Sequence, residues 1–272
     1  MTIEENIKNA KDGVALIGEV IKAAGNNPQV KEAGQELGKT ALTVTKAINN
    51  VLLPLAMLNF AFDKARKYYS EQFAIDMAQK AARIPPEEII EPKASIAGPA
   101  IQGLAFCHEE PDLKEMYLNL LASAMDGRNA NLAHPAFVEI IKQLNTTEAQ
   151  LIGAILKSQT GLPIVELRLN TGVKGYHILL RHLLDLKSQS TQQSAEDEGM
   201  PAIVDNWIRL GLVTVTYQAQ LLDEANYSWV ESRPEYRRFW DTPHLDGESV
   251  VFQKGIIVKT AFGDQFAKAV GL

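Results

Sequence analysis

The sequence predicts a mainly α protein: an N-terminal and central multi-helix region followed by a smaller α/β module. Three observations carry that prediction. Apolar residues recur at i, i+3, i+4 and i+7 through residues 3–156, the spacing that draws one stripe along a helix. Proline and glycine punctuate the stripes where helices should start and stop. β-Branched runs gather late in the chain, at 212–217 and 249–260.

Composition narrows the function classes. A chain of 272 residues holds one large domain or two ordinary ones. With 46% hydrophobic and 22% charged residues it reads as globular rather than disordered. A formal net charge of −6 argues against a general nucleic-acid binder, for which a basic footprint is expected. Cys107 is the single cysteine, which excludes an intramolecular disulfide framework and a multi-cysteine zinc site. Residues 1–11 alternate in charge with no apolar core, so no signal peptide is read there and the expected location is cytoplasmic, or peripheral to the inner membrane. Charge is uneven: residues 28–84 are net basic and 85–145 net acidic.

Residues 1–27 predict an N-terminal helix (Ile3, Ile7, Val14, Ile17, Ile21) closed by the break Gly25-Asn26-Asn27-Pro28. Residues 28–84 predict a long helical arm, kinked at Pro54, with an uncharged apolar centre at 47–62. That centre falls short of the roughly 20 apolar residues of a bilayer span. A helix buried in a helical core is the plain reading. The alternative is a membrane-inserting or interfacial hairpin on activation, presenting Leu52, Leu53, Leu55, Leu58, Phe60 and Phe62, with Gly34-x-x-x-Gly38 permitting close helix approach. A self-association surface is the third.

The central core, 85–145, is the most strongly punctuated stretch. Pro85-Pro86 and Pro92 lead into a small-residue helix over 94–106, which Gly98-Pro99 can delay by a turn. Asp112 and Glu115 resemble a capping box opening a helix whose stripe is Leu113, Met116, Tyr117, Leu120 and Leu121, stopped by Asp126-Gly127. His134-Pro135 starts another, with Phe137, Val138, Ile141 and Leu144 facing its core. Four strings in this region, IPPEEIIEP, IAGPAIQGLAF, LKEMYLNLLASAMD and HPAFVEIIKQL, resemble in order and spacing the prokaryotic abortive-infection alpha family. The resemblance implies a role in phage defence and brings no catalytic residues with it.

Residues 146–272 predict a C-terminal module. Asn145 or Thr146 caps a first helix carrying Leu151, Ile152, Ile155 and Leu156; then come a short apolar element at 162–169 and a helix over 175–186. A polar loop at 187–199 precedes a helix over 202–210 that ends at Gly211. A strand, an irregular insert at 218–248, a return strand and a helix over 261–270 complete the chain. The exit NWIRLGLVTV and the return GIIVKT leading into Thr-x-x-Gly make the module similar to a winged helix.

Candidate sites are few. On the expected reading helix, His177, Arg181, His182 and Lys187 could face DNA, with Asp185 opposing them. Cys107-His108-Glu109-Glu110, with His134 and Asp126 as distant partners, diverge too much for a metal site. Asn119, Ser123 and Asp126 suit a hydrogen-bonded contact between helices. The insert holds Tyr227, Trp229, Tyr236, Phe239 and Trp240 among Arg233, Arg237 and Arg238, residue types enriched in binding hot spots. A partner surface is read at Trp229, Arg233, Tyr236, Arg237, Phe239 and Trp240; the plain reading packs the aromatics inward. No P-loop and no Gly-x-Ser-x-Gly elbow occurs. The expectation is a non-enzymatic defence protein without cofactor or metal, working through a protein partner or self-association. A membrane effector and a DNA-binding regulator are the alternatives.

Overall fold

A computed structural model describes residue 65 and residues 67–272, apart from 173, 174, 189, 190 and 192. The expected N-terminal helix and the apolar centre of the arm lie outside the described residues. The chain forms two compact units: one runs up to Ala149 and includes Lys268–Leu272, and the other is Gln150–Ala267.

In the first unit a π turn, Tyr68–Gln72, leads into α1 (Phe73–Ala81). After a 3-10 turn at Pro86–Glu88 come α2 (Ala94–Cys107), α3 (Pro111–Met125), α4 (Pro135–Lys142) and the start of α5 (Thr146–Lys157). Helix α2 packs on α3 and α4, and α3 also on α1 and α4. The predicted stripes form this core: Ile101, Leu104, Tyr117, Leu120, Phe137 and Ile141 are all buried. Each such side chain contributes about 1.5–3 kcal/mol. Gly103 is required where Tyr117 crosses α2, because an added Cβ would lie 2.4 Å from the phenol oxygen.

Local chemistry sets the helix starts. His134 Nδ1 accepts from the Ala136 N–H at 3.1 Å, ahead of Pro135 in the first turn. Asn145 and Glu148 form a full capping box, each side chain accepting from the other's backbone N–H at 2.8 Å. Two boundaries differ from expectation. Helix α3 begins at Pro111, so Asp112 lies within the first turn and is not the cap. Helix α2 is not delayed: it runs through Pro99, where burial of Ile96, Ala97, Ala100 and Ile101 offsets a proline cost of about 3 kcal/mol, the lost hydrogen bond included.

The second unit is built on a four-stranded antiparallel sheet in the order β2-β1-β4-β3. Its elements are β1 (Leu162–Asn170), β2 (Tyr176–Leu183), α6 (Met200–Arg209), β3 (Val213–Thr216), α7 (Pro234–Trp240), β4 (Ser249–Lys259) and α8 (Ala261–Val270). The helix expected over 175–186 is overturned, because 176–183 is a strand. Its helical spacing has a specific origin. Leu183 pairs with Val165 and Leu180 with Leu167, so Arg181 and His182 together oppose the single residue Glu166. That β-bulge puts core leucines three apart in a strand, which imitates a helix stripe. A second register shift follows between Leu167 and Arg168.

The run α6, β3, β4, α8 keeps the order that motivated the winged-helix comparison, within a sheet widened by the β1–β2 hairpin. Gly211, at φ +73°, turns the chain from α6 into β3, and Thr260 Oγ1 caps α8 by accepting from Gly263 N–H at 2.8 Å. The insert at 218–248 is more ordered than expected, containing two 3-10 turns and α7. It covers one face of the sheet: Tyr227, Val230 and Tyr236 share a core with Val165, Leu167, Leu183 and Val250.

Candidate functional site

The residues read as a partner surface separate into two groups. Arg233 and Tyr236 are corrections, since both are buried and cannot meet a partner. Arg233 Nε and Nη2 donate to Glu235 at 3.1 and 2.6 Å, while Nη1 and Nη2 donate to the carbonyls of Leu186 and Ala195 at 2.6 and 2.7 Å. One guanidinium thus ties Leu186, just before the 187–199 loop, and Ala195 within that loop to the insert. Tyr236 is packed against Phe252, and burial raises its phenol pKa. Trp229 and Phe239 are half-buried against the same core. Exposed are Arg237, Arg238 and Trp240, the last at 53% and stacked on Tyr236 at 5.7 Å. The surface reduces to one face of α7.

A polar network occupies the sheet around the β2 bulge. Buried Glu166 accepts from Arg168 Nε at 2.7 Å and lies 3.1 Å from Arg181 Nε. Next to it, His182 is the one non-glycine residue with positive φ (+59°) among those described. Holding a bulky residue there costs on the order of 1–3 kcal/mol, so the surroundings must fix it. They do so from two sides: His182 Nδ1 lies 3.0 Å from the Tyr217 hydroxyl and Nε2 lies 3.2 Å from Asp205. The His182 backbone N–H also donates to Tyr217 Oη at 3.1 Å. Because the Asp205 carboxylate can only accept, Nε2 of the neutral ring carries the proton and donates to it, and the phenol donates to Nδ1. Burial lowers the His182 pKa and pushes the Tyr217 phenol up to about 12. Gly255 makes the arrangement possible, since a Cβ there would lie 2.5 Å from the Tyr217 ring.

This network changes the meaning of the residues expected to read DNA. His177 and Arg181 sit on an exposed part of a strand, His182 is buried, and Lys187 pairs with Asp185 at 3.1 Å. They share no helix face. Chemically, the imidazole is held between the Tyr217 phenol and the Asp205 carboxylate, and Glu166 between Arg168 and Arg181, which ties β2 to α6 and to the residue that follows β3. Among the described residues no group of three His, Cys, Asp or Glu side chains could hold a metal. Sequence reading missed Glu166, Asp205 and Tyr217; the available signal was the pair Glu166 and Arg168 inside an otherwise apolar strand.

In the helical unit the candidates are structural. Cys107 is buried, its thiol donates to the Gly103 carbonyl at 3.4 Å, and burial pushes its pKa up to about 12, which disfavours the nucleophilic thiolate. His108 stacks on Tyr68 at 5.0 Å. Asp126 receives two bonds from the Arg128 guanidinium, at 2.8 and 2.7 Å, and one from Asn129 at 3.0 Å; the Arg128 bonds hold its pKa low. Asn119 and Ser123 donate to the carbonyls of Val270 and Ala269 at 3.0 and 2.8 Å, the hydrogen-bonded helix contact that was expected. A polar cleft of about 250 Å³ beside Asp76, Lys80, Arg83 and Glu115 was not anticipated; in it Lys80 pairs with Glu115 and Asp76 with Lys114. Leu52, Leu53, Leu55, Leu58, Phe60 and Phe62 lie outside the described residues, within which no helix is long and apolar enough to cross a membrane.

These features define a protein of one helical unit and one α+β unit, its buried ionisable groups largely paired with each other. The abortive infection alpha family model matches residues 65–270, and the chain belongs to that family. Comparison with the curated proteins and with the solved structures gives no significant match in either.

Proposed function

We propose that this chain is an anti-phage defence protein of the abortive-infection type, acting through contacts with a protein partner and not through catalysis. The observation that carries the reading is the family match over 65–270. The α7 face supports the mode of action: a half-exposed tryptophan beside two exposed arginines is the composition of a binding hot spot. The alternative of a DNA-binding regulator loses its reading helix, since 176–183 is a strand.

The test is expression in a susceptible bacterium under phage challenge. Protection of the culture at low phage dose, with collapse at high dose, is expected. No protection against any phage tried overturns the defence role. In the Trp240→Ala/Arg237→Ala double variant, folded by circular dichroism, protection should be lost. Full protection by that variant overturns the α7 contact.

A further inference from the structure

Strain gathers at one corner of the sheet unit, where the end of β2 meets α6. His182, the one non-glycine residue with positive φ among those described, sits there, at the bulge where it and Arg181 together oppose Glu166. Two buried side-chain polar atoms among the described residues have no hydrogen-bond partner: Asp185 Oδ1 and Trp207 Nε1. Both flank the same contact, Asp185 just beyond His182 in the chain and Trp207 just beyond Asp205 on α6. Buried polar groups are nearly always paired, and unpaired or strained ones mark places where a fold stores free energy. Their convergence makes this corner the part of the sheet unit least committed to its closed form.

Few bonds hold the corner shut. Helix α6 packs on β2 and β3, and its buried residues are Met200, Val204 and Trp207. Its polar tie to β2 is Asp205, 3.2 Å from His182 Nε2. On the other side the Tyr217 hydroxyl accepts from the His182 backbone N–H at 3.1 Å and donates to Nδ1 across 3.0 Å. That last bond requires a neutral ring. A proton on Nδ1 would face the phenol proton, which has no second acceptor among the described residues. The charged groups around the ring are Asp205 on α6, Arg181 on β2 and Glu166 on β1, itself shared with Arg168. Burial is the largest influence on the imidazole and lowers its pKa; Asp205 and Glu166 pull the other way, and Arg181 adds to the lowering.

We propose that the His182 contacts are a proton-operated latch: the neutral ring keeps α6 on β2, and protonation turns the phenol away and lets α6 lift from the sheet while the rest of the chain stays folded. In the opened corner the ring is solvated and titrates near its ordinary value of about 6.5, above that of the closed form. The latch is therefore fully shut above about pH 6.5. Below it, opening grows up to about tenfold per pH unit and levels off once the closed form also takes up the proton. Lifting α6 uncovers Val204 and Trp207, so acid exposes an apolar face that is buried at neutral pH. This local device is independent of the α7 surface and of the defence role.

Hydrogen exchange of the full chain, followed by NMR from about pH 7.5 to about pH 5, reads the latch directly, because the His182 amide is one of its bonds. Corrected for the intrinsic rate, protection of the His182 and α6 amides should fall by up to about tenfold per unit below about pH 6.5, while α3 amides keep theirs. His182→Asn, which tolerates positive φ and has no imidazole to protonate, should show flat protection at α6. Asp205→Asn keeps an acceptor for Nε2–H but removes the counter-charge, so its loss of protection should continue to lower pH than in the unaltered chain. No pH dependence at His182 and α6, the same dependence in His182→Asn, or a loss shared equally by α3 overturns the proposal.

Discussion

The two units bury charge in different ways. In the helical unit, Asp126 and Glu148 find partners two or three residues away in sequence, Arg128 and Asn129 for one and the Asn145 backbone for the other, and Asp76 is the exception that reaches Lys114. In the sheet unit the buried charges reach far. His182 meets Asp205 and Tyr217, Arg181 meets Glu166, and Arg233 binds the carbonyls of Leu186 and Ala195. A local pair forms with its turn and costs little chain entropy. A distant pair must be assembled by the fold and, once desolvated, tolerates no missing member.

The largest effect expected from that contrast is at Arg233. Arg233→Ala leaves Glu235 buried without its cation and frees two carbonyls, so a loss of about 3–5 kcal/mol should appear in urea unfolding. A loss below about 1 kcal/mol would mean that water reaches Glu235, and the contrast between units would fail there. The local counterpart is Asn145→Ala, which removes one side of the α5 capping box and should cost about 1 kcal/mol. A cost equal to that of Arg233→Ala would break the comparison from the other side.

The smallest expected effect is a pH slope at His182. Burial depresses its folded pKa, so on acidification the unfolded chain takes up the proton first. The stability linked to the neutral ring is therefore complete above the ordinary value of about 6.5, declines as pH falls below it, and is gone below the folded value. His182→Asn, which tolerates positive φ, should lack this component, seen as a flatter urea midpoint against pH. Identical pH profiles for the two proteins would remove the imidazole from the stability of the bulge.

The same contrast explains which features were legible. The start at His134-Pro135, the stop at Asp126-Gly127, the cap near Asn145 and the helix Ala261–Val270 were all readable, because each depends on residues within one turn. Strand β2 was misread because Tyr176, Leu179, Leu180 and Leu183 repeat at a helical interval. No local residue announces the bulge that makes this spacing fit a sheet. The surface expected around Arg233 was misjudged for a related reason: arginine and aromatics adjoining in sequence look the same whether they face solvent or a core.

By itself, then, the sequence determined the helical core, its caps and the four strings that mark the abortive infection alpha family, since helix periodicity and capping act over three or four residues. Tertiary structure alone decided that 176–183 is a strand and that Arg233 is a buried clamp. It also decided that Tyr217, His182 and Asp205 meet at a strained bulge. Each of these depends on partners tens of residues away, and long-range packing outweighs the few tenths of a kcal/mol by which local propensity separates one backbone state from another.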